Sequence, residues 1–302
     1  MKEAFRHGGA LDAAVARFGG ARGEWLDLST GINPVPPLLP DVPPEIWARL
    51  PEGVLEERTR RALRRFAGAG TGAGIALAPG TQALISLLPH LAEPGPAALL
   101  DVTYGEHERA LRASGHRIVP VAGPDEVPDT ARLAVIVHPN NPDGRRFSRG
   151  SLLALADRMA MQGGWLVLDE AFADAEPEIS LAGEAGRPGL IVLRSFGKFF
   201  GLAGLRFGAA LAEPAVAERI AARFGPWAVA GPALHIAACL MEDEATIARL
   251  REGIAARAVL TQGALAQAGL ERIGGTALFS LLDFPDATAA FETLARRRIL
   301  TR

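Results

Sequence analysis

Trp165-Leu166-Val167-Leu168-Asp169 is apolar through four positions and then ends on a carboxylate. So short a run, without polar alternation, predicts a strand covered on both faces. Leu133-Ala134-Val135-Ile136-Val137 upstream and Leu190-Ile191-Val192-Leu193 downstream read the same way. Further out, Ile75 to Ala78, Ala98 to Val102, Arg117 to Val121 and Leu205 to Leu211 extend the set. Helical patterns separate these runs over residues 81–91, 105–114 and about 150–162, the last capped by Ser148 or Ser151. Buried strands alternating with helices define an α/β fold, with a large, mostly parallel sheet covered by helices.

Beyond residue 212 the pattern changes. Alanine-rich helices are predicted over 213–224, 231–241 and 244–269, then a strand near 277–283, a helix near 287–297 and a final Ile299-Leu300. This is α+β in character and reads as a smaller domain over 213–302, beside a large domain over 46–212. Residues 1–45, with Pro34, Pro36, Pro37, Pro40, Pro43 and Pro44, read as an extended arm associated with the small domain. The glycine-rich stretch from Gly68 to Gly74 precedes a strand instead of following one, so it reads as a loop.

Composition narrows the function classes. The 302 residues carry 32 basic against 34 acidic side chains, a net charge of −2 that shows no nucleic-acid or anionic-membrane footprint. The single cysteine, Cys239, cannot form an internal disulfide, and no apolar run approaches the roughly 18 residues of a membrane span. The expectation is a soluble, cytoplasmic protein. Arg58, Arg60, Arg61, Arg64 and Arg65 read as the solvated face of an amphipathic helix. Ser195-x-x-Lys198 lacks the K-T-G element of a serine acyl-enzyme, and His107-Glu108 lacks the second histidine of a zinc hydrolase, so no metal is expected.

Of the 32 basic residues only Lys2 and Lys198 are lysine. A lysine amine can lose its proton and attack a carbonyl; a guanidinium, with a pKa above about 12, does not. Tyr104 is likewise the only tyrosine. Polar residues gather just after the predicted strands, where α/β sheets bind ligands. Gly80-Thr81-Gln82 follows one, Asn140-Asn141-Pro142-Asp143-Gly144 a second, Asp169-Glu170 ends a third, and Ser195-Phe196-Gly197-Lys198 follows a fourth.

Ser195-x-x-Lys198-x-x-Gly201-x-x-Gly204-x-Arg206 resembles the lysine segment of fold-type I pyridoxal-phosphate enzymes, the aspartate aminotransferase superfamily. Asn141-Pro142-Asp143-Gly144 and Asp169-Glu170-Ala171-Phe172 resemble its two other hallmark segments, in the same order. The resemblance implies pyridoxal 5'-phosphate as cofactor. Lys198 is then the amine that attaches it and shuttles protons, and Asp169 the partner of its ring nitrogen. Asn141 bonds its phenolate oxygen, and Tyr104 is the aromatic stacked on the ring. Gly80, Thr81, Gln82, Ser195 and Arg206 form its phosphate site.

His7-Gly8-Gly9, Asp27-Leu28-Ser29-Thr30-Gly31-Ile32-Asn33-Pro34, Phe196 to Gly204 and Gly274-Gly275-Thr276-Ala277-Leu278-Phe279 resemble threonine-phosphate decarboxylases of cobalamin biosynthesis. So does Phe172, where histidinol-phosphate aminotransferases usually carry tyrosine. This resemblance implies decarboxylation of L-threonine O-3-phosphate to (R)-1-amino-2-propanol O-2-phosphate, with substrate contacts from His7, Gly8, Asn33, Asn141 and Arg302, and a homodimer. The family continues past Ile299-Leu300-Thr301-Arg302, so the small domain reads as truncated. A histidinol-phosphate or related aminotransferase, or an inactive paralogue, is the alternative.

Overall fold

The computed structural model describes residues 7–302. In chain order its helices and strands are α1 (Leu11–Phe18), β1 (Leu26–Asp27), α2 (Pro44–Ala48), α3 (Gly53–Ala67), β2 (Gly74–Ala78), α4 (Thr81–Leu87), β3 (Pro96–Leu100) and α5 (Gly105–Ala113). They continue as β4 (Arg117–Val121), β5 (Leu133–Val137), α6 (Arg149–Met161), β6 (Trp165–Asp169), β7 (Leu190–Ser195), α7 (Phe196–Phe199) and β8 (Gly208–Ala212). The chain closes with α8 (Pro214–Phe224), α9 (Gly231–Glu242), α10 (Glu244–Gln267), β9 (Arg272–Gly275), β10 (Ser280–Leu282), α11 (Ala287–Arg296) and β11 (Ile299–Leu300).

Seven strands form one sheet in the order β2-β8-β7-β6-β5-β3-β4. Strand β8 is antiparallel to both its neighbours, so the other six run one way and deliver their carboxyl ends to the same edge. The apolar runs split by parity, as a pleated strand requires. Ala134, Ile136, Leu166, Leu168, Leu190 and Val192 join a core with Leu152, Leu155 and Met159 of α6 and with α9. Leu133, Val135, Val167, Ile191 and Leu193 face the opposite way, onto Leu84 of α4, Leu111 of α5 and Ile220 of α8. Ser148 caps α6, its Oγ accepting from the Ser151 N–H at 3.0 Å.

Three local readings of the sequence need correction. The arm is not extended throughout: Leu11, Val15 and Phe18 share one face of α1 and pack, with buried Ala14, against Trp25, Phe291, Ala295 and Leu300. The prolines that favour extended backbone begin only at Pro34. The strand read at Leu205 to Leu211 begins later, at Gly208, because Ala203–Leu205 form a 3-10 turn and Arg206 adopts φ +54°. The strand near 277–283 shortens to β10, and its antiparallel partner β9 is a short strand the pattern missed. Strand β1 pairs in parallel with β11, so the segment after α1 is hydrogen-bonded to the last strand.

The β9–β10 hairpin meets the large sheet through glycine backbone. The Gly275 N–H donates to the Asp143 carbonyl at 2.8 Å, and a Cβ on Gly144 would overlap the Gly275 carbonyl. Gly144 also has φ +72°, where L side chains are strained. Gly144→Ala is therefore expected to cost about 2 kcal/mol or more of stability and to lower the thermal midpoint by several degrees. An unchanged melting curve counts against this contact as a fixed hinge point.

Candidate active site

The sheet edge that collects the six carboxyl ends also collects the polar residues. Asp169 closes β6, is 3% exposed, and its Oδ2 lies 2.8 Å from Nε2 of His107, itself buried on α5. Its Oδ1 accepts from the Ala171 N–H at 3.0 Å. The β7 strand leads directly into the one-turn helix α7 that carries Lys198. Burial pushes the Lys198 amine below the usual lysine range; Asp169 opposes this, while Arg302 and Arg206 push further down. Among the described residues Lys198 makes no ion pair, and its Nζ stands 5.8 Å from the centroid of the Phe172 ring. An amine so placed is biased toward the neutral, nucleophilic form.

Asn33 grips the lysine segment from behind. Its N–H donates to the Lys198 carbonyl at 2.9 Å and its Nδ2 to the Phe199 carbonyl at 3.0 Å. Its Oδ1 accepts from the Val35 N–H at 3.1 Å and from Arg257 Nη2 at 2.9 Å. The side chain read as a substrate contact is thus occupied by protein partners, and Arg257, on α10, is a contributor that the sequence reading missed.

On the other flank, Tyr104 precedes α5. Burial raises its phenol, with Glu106 and Asp169 adding to the effect and Arg302 and Arg206 opposing it, so the hydroxyl keeps its proton. It donates to Gln82 Oε1 at 3.4 Å, and Gln82 Nε2 donates to Glu106 Oε2 at 3.3 Å. His7 reaches this cluster: its Nε2 lies 3.2 Å from Glu106 Oε1, and its ring stands edge-on to Tyr104 with centroids 6.4 Å apart. Gly8 runs so close to Ser29 and Thr30 that a Cβ would overlap the Ser29 carbonyl.

Gly80, with φ +83°, opens α4 beside Arg206: a Cβ there would lie 2.7 Å from Arg206 Nη2. Thr81 is buried, its Oγ1 donating to the Arg194 carbonyl at a long 3.4 Å. Arg206 is exposed and donates to the Ala203 carbonyl at 3.2 Å. Asn141 and Ser195 are half-buried, and their side chains have no hydrogen-bond partner among the described residues. Arg302 is exposed, and its charge reaches Lys198 and Tyr104. An amine, a buried carboxylate, an open amide, an aromatic hydroxyl and a helix start with a guanidinium thus share one edge. Such a set could hold a cationic heteroaromatic ring that bears an aldehyde and a phosphate.

The sequence profile of the family described as aminotransferase class I and II matches residues 45–302. The chain belongs to that family. Within it, a threonine-phosphate decarboxylase of Sinorhizobium sp is 46% identical over 98% of this chain and 89% of its own length. A threonine-phosphate decarboxylase of Pseudomonas aeruginosa is 42% identical over 98% of this chain and 88% of its own. The crystal structure of L-threonine-O-3-phosphate decarboxylase from Porphyromonas gingivalis superposes with a TM-score of 0.71 at 24% identity, covering 85% of this chain and 81% of that one. At that identity the likeness speaks for the fold, which this aminotransferase-family chain shares.

His107, which holds Asp169 at this edge, is a second contributor that the sequence reading missed. It lies three positions after Tyr104, on the buried side of α5, but its reach to Asp169 depends on how α5 packs over the sheet. The lowered Lys198 amine yields a prediction. Because its folded pKa lies below its unfolded value, the unfolded chain binds more protons between the two, and stability rises with pH across that window. In the cofactor-free protein, Lys198→Met should raise the thermal midpoint at pH 7, and the gain should shrink as the pH climbs toward the ordinary lysine value. A midpoint difference that is flat with pH contradicts the burial of an unpaired amine.

Proposed function

We propose that this chain is a pyridoxal-phosphate-dependent carboxy-lyase that converts L-threonine O-3-phosphate to (R)-1-amino-2-propanol O-2-phosphate and carbon dioxide, in cobalamin biosynthesis. The observation that carries this reading is the 46% identity, over nearly the whole chain, to a protein named threonine-phosphate decarboxylase. The residues at the sheet edge fit the cofactor. Gly80 leaves the start of α4 open beside Arg206, Asp169 is dry and already paired on one side, and Lys198 is half-buried with no ion-pair partner among the described residues.

In this reading Lys198 Nζ would hold the cofactor covalently, and Arg206, Ser195 and the α4 start would hold its phosphate by charge-assisted hydrogen bonds. Asp169 keeps a proton on the ring nitrogen, and His107 holds the carboxylate oriented for that task. Asn141 would bond the ring's phenolate oxygen, and Tyr104 would pack beside the ring. When bound, pyridoxal phosphate supplies the electron sink for the pair left when a bond at the substrate α-carbon breaks. Nζ of Lys198 would deliver the proton that replaces the departing carboxyl group. His7, Gly8, Asn33, Asn141 and Arg302 would be the chain's contacts to the phosphorylated substrate. Asn33 also serves this reading through the lysine segment that it grips.

The reaction is tested with carboxyl-labelled L-threonine O-3-phosphate and added pyridoxal phosphate. Label should leave as carbon dioxide, and Lys198→Ala and Asp169→Asn should each slow release by on the order of 10²-fold or more while the fold persists. Amino transfer to 2-oxoglutarate without release of carbon dioxide overturns the decarboxylase in favour of an aminotransferase.

A cytoplasmic homodimer completes the proposal. Among the described residues no helix is long and apolar enough to cross a membrane. Leu38, Leu39, Trp47, Leu50 and Val54 expose large apolar side chains along one stretch of chain, which supports association with a second copy. Light scattering of the holoenzyme should return twice the 31.7 kDa chain mass; a monomer mass rejects the dimer.

A further inference from the structure

Asn140 stands beside Asn141, yet only the second of the pair has a task in the reading above. The Asn140 side chain is 0% exposed, and each of its polar atoms is engaged. Its Oδ1 accepts from Thr103 Oγ1 at 2.6 Å. Its Nδ2 donates to the Val102 carbonyl at 3.0 Å and to Asp143 Oδ1 at 2.8 Å. Its backbone N–H donates to the Arg145 carbonyl at 2.9 Å, and its carbonyl accepts from the Gly144 N–H at 2.7 Å. One buried amide therefore ties the turn after β3, which ends in Tyr104, to the turn after β5, which begins with Asn141.

The first turn needs holding. Val102 has φ +49°, a conformation that a β-branched residue rarely takes, and its side chain is 63% exposed, so burial does little to offset the strain. Hydrogen bonds hold the turn instead. The Val102 N–H donates to Asp101 Oδ1 at 2.9 Å, Arg145 Nη2 donates to the Asp101 carbonyl at 2.6 Å, and Asn140 takes the Val102 carbonyl. Backbone strain persists only where the surroundings over-determine it.

We propose that Asn140 is a positioning residue of this site. By bridging the two turns it sets where Tyr104 and Asn141 stand relative to each other, and so how both meet the cofactor. It acts through them and does not touch the substrate. The inference rests on the cofactor reading of the site and is independent of which reaction follows.

The test uses three measurements: pyridoxal-phosphate affinity, the absorption spectrum of the bound cofactor against pH, and the thermal midpoint of the cofactor-free protein. Asn140→Asp keeps the shape and the acceptor for Thr103 but replaces both donors with oxygen. Asn140→Ala removes the bridge. Thr103→Val removes one strut from outside, should any Asn140 variant fail to fold. Both Asn140 variants should weaken cofactor binding about tenfold or more and shift the bound-cofactor spectrum or its pH midpoint, as losses of supporting partners do. Thr103→Val should do the same to a lesser degree. Val102→Gly in the Asn140→Ala background should recover part of the thermal midpoint but not the cofactor affinity or spectrum, because glycine takes φ +49° without strain yet does not restore the bridge. Unchanged affinity and spectrum in the variants, whatever the thermal midpoint does, overturn the proposal, as does full recovery of affinity and spectrum by Val102→Gly. A wild-type chain that binds no pyridoxal phosphate overturns the cofactor reading itself, a result distinct from normal binding in the variants.

Discussion

Arg194 carries its guanidinium into the interior between two carboxylates. Its Nη1 donates to Glu170 Oε2 at 2.6 Å, its Nη2 to Asp174 Oδ1, and none of the three residues is more than 4% exposed. Burial alone would push both acids toward the neutral form, and the guanidinium counters it. Removing one member of such a cluster leaves charge stranded in a dry place, typically at a cost of about 3–5 kcal/mol. The position matters more than the strength. Glu170 follows Asp169 at the end of β6, and Arg194 precedes Ser195 at the end of β7. The cluster therefore fixes the separation of the two strand ends that present the carboxylate and the amine of the site.

The remaining parts of the site are built around that fixed pair. Asn33 reaches over from the arm to cap the carbonyls of Lys198 and Phe199, and Arg257 of α10 orients the Asn33 amide. On the far side, Tyr104, Gln82, Glu106 and His7 form a chain of polar contacts that ends in the arm. The arm thus touches the site at both flanks. Helix α1, by contrast, packs on α11 and the last strand.

The sheet was legible because its strands are buried on both faces, which leaves runs that are apolar throughout and too short for a buried helix. Lys198 was legible for a different reason: in an arginine-rich chain one lysine is conspicuous. Helix α1 was obscured by the prolines further along the arm, although its own apolar spacing was helical. Strand β9, Arg-Ile-Gly-Gly, carries too few side chains to show an alternation; its glycines answer to backbone contact with Asp143 and Phe279. His107, Arg257 and Asn140 were invisible as partners because each acts across elements far apart in the chain. Asn33 was assigned to the substrate from resemblance; its amide also bonds the backbone of the lysine turn, a contact across the chain that the sequence does not display.

The preference for guanidinium has a consequence for chemoselectivity. Apart from His7–Glu106, the described surface ion pairs are made by arginine, as in Arg58–Glu242, Arg112–Glu108 and Arg146–Glu176, which hold their partners at 2.7 to 2.8 Å. A free aldehyde condenses readily with exposed primary amines and poorly with guanidinium. Apart from Lys2 and the amino terminus, the chain offers such a molecule only the half-buried amine of Lys198. Salt bridging and carbonyl capture, which lysine would perform indiscriminately, are here divided between two residue types, and a reactive carbonyl compound in the surrounding solution has few other places to attach.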